Sequence, residues 1–132
     1  GDYATVKIFG STNGTLIKHE HIPESEFTRS MIWGPFFIFR KSMIKKTGYF
    51  DEQFKSALDL DFTIQLALHG KAKHVKQNLG YFLNAGTGLS TNANTPNNIE
   101  RTAIELRYGI YDKIDYSCVP EATTMYDIKT DI

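Results

Sequence analysis

A chain of 132 residues is long enough for one small domain with a buried core. Its 15 basic side chains are matched by 15 acidic ones, which argues against a dominant nucleic-acid or anionic-membrane surface. The lone cysteine, Cys118, excludes an intrachain disulfide and a cysteine-based metal cluster, and it fits a reducing compartment. No apolar run approaches the ~20 residues of a membrane span, and no signal peptide is legible at the start.

Val6 and Ile8 alternate with Thr5 and Lys7, so residues 4–9 read as a strand. Asn13-Gly14 turns the chain, and 16–22 returns as a second strand, predicting an N-terminal β-hairpin. Pro23 ends it, and Ser25 is placed to cap a short helix through Phe27, Met31 and Ile32. The run Trp33-Gly34-Pro35-Phe36-Phe37-Ile38-Phe39-Arg40 is the most apolar and predicts a central buried strand. A short helix follows over 41–47, with Met43 and Ile44 inward and Gly48 as its stop. Phe50 and Phe54 flank Asp51-Glu52 in the next loop.

Residues 57–69 give the clearest helix, with Leu58, Phe62 and Leu66 on one face. Gly70 ends it, 71–77 reads as a half-exposed strand, and 79–83 as another. Residues 84–94, rich in Gly, Ser, Thr and Asn, read as a loop. Thr95-Pro96 opens a second main helix, predicted to 113 with Ile99, Ala103, Leu106 and Ile110 as its stripe. Residues 114–132 read as a tail broken at Pro120. The expected fold is α+β: one domain over 1–132, with a small mixed sheet and two main helices packed on it.

Asp59 and Asp61 fall in the first turn of the 57–69 helix, where a carboxylate is commonly a dipole partner. Two residues apart, they do not share a face and cannot form a close acid dyad. One can point into a cleft while the other ties down neighbouring backbone. Asp51 and Glu52 read equally well as solvated loop anchored by Phe50 and Phe54. His19 and His21 share a strand face, but the four histidines show no recognisable metal-ligand spacing.

The ordered set Phe39-Arg40-Lys41-Ser42, Gly48-Tyr49-Phe50-Asp51-Glu52, Asp59-Leu60-Asp61-Phe62 and Gly70 resembles the C-terminal half of family 2 glycosyltransferases with the GT-A fold. The likeness is close over 33–90 and loose over 2–32. It implies a partial GT-A-like α/β architecture and an inverting transfer from a nucleotide-sugar donor. Asp59 matches the carboxylate that deprotonates the acceptor hydroxyl. Asp61 matches the following acid, a structural or acceptor-side contact. Trp33 and Gly34 match the acceptor-lining segment, where an aromatic ring stacks on a sugar; a buried core Trp is an equal reading of Trp33. Arg40 would pair with Asp51 or Glu52 as scaffold. The chain departs from the pattern at Leu58, where the family has an acid, at Gln65, where it often has Arg, and at Asn84, where a metal-binding His would fall.

No nucleotide-binding half is legible ahead of Asp2. The resemblance therefore implies a fragment that carries the acceptor and base half, inactive alone, with the donor bound only when the missing half is present. It implies no metal site and no cofactor in this chain, leaving a divalent ion such as Mg or Mn to an intact parent. A carbohydrate acceptor is the expected partner, not nucleic acid. The location expected is cytoplasmic, at a membrane surface only through the parent. The unsupported edge of the strand over 33–40 predicts a homo-oligomer. Two other readings stay open: a non-catalytic carbohydrate-binding or assembly module, and a small α+β interaction domain.

Overall fold

A computed structural model describes residues 2–5, 16–19, 37–73, 75, 78–81 and 96–128. Three four-residue segments pair as a small sheet. Asp2–Thr5 (β1) lies antiparallel to Leu16–His19 (β2) and parallel to Asn78–Tyr81 (β3). The packed body, 37–73 and 96–128, contains no strand and is all helical. It comprises α1 (Ile44–Thr47), α2 (Leu58–His69), α3 (Asn97–Tyr108) and α4 (Val119–Met125), joined by 3-10 turns at Lys41–Met43, Tyr111–Lys113 and Tyr116–Cys118.

The α+β expectation is corrected by this body. Its helices pack on one another, α1 on α2, α2 on α3 and α3 on α4, rather than forming a layer on a sheet. The central buried strand is also corrected. Residues 37–40, the part described, are irregular, and Ile38 is 99% exposed. Apolarity and β-branching favour a strand only where a partner strand supplies hydrogen bonds. The two faces of α2 are instead covered by helices and turns. On one, Leu60 and Ile64 join Phe54, Ala57, Ala103, Ile104, Ile110 and Ala122 in the core. On the other, the Phe62 ring meets Phe50 at 4.3 Å and Phe39 at 5.0 Å between centroids.

α2 is therefore buried nearly all round, including Asp61 and Thr63, not on a single stripe. Helix α3 stops at Tyr108, five residues short of the expected end, because Gly109 adopts a left-handed cap at φ 71°, ψ 28°. Ile110 then turns back into the core. Pro120 does not break the tail. It lies in the first turn of α4, where its missing N–H costs no hydrogen bond and its fixed φ suits a helix. Ala122 seats α4 against the core. Among the described residues, no helix is long and apolar enough to cross a membrane.

Candidate functional site

The two acids at the start of α2 have opposite environments. At about 100° per residue they point roughly 200° apart around the helix. Asp59 is exposed, and its Oδ1 accepts the Leu60 N–H at 2.9 Å. The Thr63 hydroxyl donates to the Asp59 carbonyl at 2.8 Å, tying that turn to the next. Asp61 is buried, and its Oδ1 accepts from the Tyr108 hydroxyl at 2.7 Å and from Arg107 Nη1 at 3.0 Å. The Tyr108 oxygen in turn accepts from Gln65 Nε2 at 2.8 Å. Burial and the Asp61 carboxylate push the Tyr108 phenol well above its ordinary range, since ionising it would place two negative charges together.

Arg107 joins three segments. Its Nη1 also pairs with Asp51 Oδ2 at 2.9 Å, and its Nη2 donates to the Asp127 carbonyl at 2.6 Å. The guanidinium lies 5.0 Å from the centre of the Phe54 ring, a cation–π distance. Burial alone would favour the neutral form, but Asp51 and Asp61 outweigh it and raise the Arg107 pKa further. Asp51 also accepts the Gln53 N–H at 3.2 Å and Gln53 Nε2 at 2.8 Å. Burial would raise its pKa, yet these bonds and Arg107 hold it below the usual carboxylate range. The Gln53 side chain also bridges to both the N–H and the C=O of Asp127, at 2.9 and 3.0 Å. The end of the described chain is thus strapped over the Asp51 loop.

Among the described residues Glu100 is the most enclosed charge, at 0% exposure. Its Oε1 accepts the Lys55 N–H at 2.7 Å and the Tyr126 hydroxyl at 3.3 Å. Its Oε2 accepts the N–H groups of Ser56 and Ala57 at 2.7 and 2.8 Å, and the Ser56 hydroxyl at 3.0 Å. Desolvation pushes its pKa up, but the backbone donors of Lys55, Ala57 and Ser56 prevail and hold it below the ordinary value. Three consecutive amides converging on a carboxylate form an anion-binding nest filled by the chain itself.

Of the residues singled out in the sequence, Trp33 and Gly34 lie outside the described residues, as does Asn84. Arg40 is exposed ahead of the Lys41–Met43 turn, and the cation on Asp51 is Arg107. Glu52 is exposed, and its carbonyl accepts from Lys55 Nζ at 3.1 Å. Leu58, at the position of the pattern's first acid, is half-buried against the core. Sequence reasoning missed Glu100, Arg107 and Tyr108. The available signal was spacing: Glu100, Ala103, Ile104 and Arg107 follow i, i+3, i+4, i+7, two opposite charges bracketing an apolar pair on one helix face.

An exposed carboxylate on a turn fixed from two sides can accept a proton from a hydroxyl placed beside it. Asp61, already holding a guanidinium and a phenol, is a brace. Among the described residues, no group of three or more His, Cys, Asp or Glu side chains is arranged to hold a metal ion. Comparison with protein-family models, with curated proteins and with solved structures returns no match.

Proposed function

We propose that the chain carries the acceptor-and-base part of a sugar-transfer site of the family 2 glycosyltransferase kind, with Asp59 as the general base. The observation that supports this is the division between the two acids: Asp61 anchors α2 from inside while Asp59 stands exposed on the same first turn. In the step proposed for the intact parent, the acceptor O–H gives its proton to Asp59. Its oxygen bonds to the anomeric carbon, and the bond from that carbon to the donor phosphate breaks with its electron pair leaving on the nucleotide. The test is Asp59→Asn in the parent enzyme. Loss of general-base catalysis lowers transfer by about 10²–10⁴-fold. An unchanged rate removes Asp59 as the base.

A second reading, a non-catalytic carbohydrate-binding module, is favoured by Leu58. The position of the pattern's first acid is used here for packing against the core. The two readings separate when the chain is titrated with saccharides and the parent is assayed for transfer. Saccharide binding without donor turnover in the parent supports the binding module.

A further inference from the structure

We propose that Glu100 is a positioning residue for Asp59: by filling the Lys55–Ala57 nest it sets where α2 begins and how its exposed acid is presented. The inference rests on the reading of Asp59 as the base. Helix α2 has no cap of its own. The residue at its N-cap is Ala57, which has no side-chain oxygen and makes no side-chain cap bond. The neighbouring Ser56 hydroxyl, a common capping group, donates to Glu100 Oε2. A residue on another helix, 43 positions away from Ala57, accepts the N-cap N–H, the donor that the acid of a capping box accepts within other helices.

The link from Glu100 to Asp59 passes through one peptide unit on each side of Ala57. The Ala57 N–H is held by Glu100 at 2.8 Å. The Ala57 carbonyl accepts the Leu60 N–H at 3.1 Å and the Asp61 N–H at 3.5 Å. The same Leu60 N–H is shared with Asp59 Oδ1 at 2.9 Å. Displacing Ala57 therefore alters the donor that the Asp59 carboxylate leans on. From the other end of the same α3 face, Arg107 holds Asp61. The start of α2 is held at Ala57 by Glu100 and at Asp61 by Arg107, two residues two turns apart on α3, and Asp59 lies between Ala57 and Asp61 in sequence.

The test uses the 132-residue chain and needs no sugar. In Glu100→Gln an amide NH₂ replaces one acceptor oxygen and faces the nest donors. Hydrogen exchange of the Ala57, Leu60 and Asp61 amides should accelerate about tenfold or more, and the Asp59 side-chain carboxyl ¹³C resonance at neutral pH should shift. The Ile104 and Ala122 amides, in the core, should accelerate less than these three. In Glu100→Ala, added formate should restore the Asp59 resonance, while isosteric neutral formamide should not. If Glu100→Gln does not fold, Ser56→Ala removes a single hydroxyl donor and should move the same resonance less, in the same direction. An unmoved Asp59 resonance in a folded variant overturns the proposal, as does uniform acceleration of all amides, which would mark Glu100 as a general stabiliser. These readouts respond whether or not transfer depends on Asp59, so failure of the base reading shows only in the parent's rate.

Discussion

Arg107 and Asp61 meet across α3 and α2 with Nη1 3.0 Å from Oδ1, and each side chain is only 7% exposed. Removing one partner of such a pair leaves a charge without solvent or counter-ion, at a cost of about 3–5 kcal/mol. Arg107→Ala should lose stability in that range, since it strands Asp51 as well. Asp61→Asn keeps an oxygen for Tyr108 and should cost less, about 1–3 kcal/mol. Urea unfolding of the two variants checks the order. Equal losses would mean that leaving Asp61 charged without Arg107 costs no more than neutralising it.

Acid should unfold the chain through Glu100 and Asp51. Both carboxyls have lower pKa values folded than unfolded, so the folded state binds fewer protons. Their contribution is present above the ordinary carboxylate range of about 4 and is lost as pH falls through the folded values. Unfolding free energy measured from neutral pH downward should fall below about pH 4.5. Glu100→Gln should flatten that limb; an unaltered slope counts against the nest as its source.

At alkaline pH the sign reverses. Tyr108 and Tyr126 are raised, Tyr108 by burial and Asp61, Tyr126 by burial and Glu100. The stability linked to them is complete below about pH 10 and is lost as pH rises through the folded values. Phenolate absorbance should show one group fewer at the late end of the titration in Tyr108→Phe. Loss of an early-titrating group instead would contradict the Tyr108–Asp61 bond.

Gly48 and Gly109 both have positive φ but differ in ψ. Gly48 is at φ 73°, ψ −176°, a region nearly confined to glycine, and a Cβ there would meet nothing within 4 Å. Gly48→Ala should therefore cost about 1–3 kcal/mol from backbone strain alone. Gly109 sits in the left-handed helical region, which asparagine tolerates. Gly109→Asn should retain more stability than Gly109→Ala, whereas Gly48→Asn should gain little over Gly48→Ala. Thermal unfolding of the four variants decides it.

The helix over 58–69, the glycine that ends α1, and the aromatic anchors Phe50 and Phe54 were legible because each depends on local pattern or backbone geometry, whereas the stop of α3 at Gly109 was not. The run around Ile38 misled because apolarity alone does not distinguish a strand from an exposed irregular segment. Asp59 and Asp61 were legible as a diverging pair, since helical spacing fixes their relative direction. Which of them would be buried was not, because the answer lies on α3, in Arg107 and Tyr108.

The sequence by itself determined the helical periodicity, the ends of α1 and α2, and the balance of charge, all properties of neighbours along the chain. Only the tertiary structure decided that the N–H of Ala57, just ahead of α2, is held by Glu100 from another helix and that Arg107 draws Asp51, Asp61 and the Asp127 carbonyl together. The physical reason is sequence distance. A buried carboxylate must find donors wherever the fold supplies them, and for Glu100 its backbone donors lie 43 to 45 residues away.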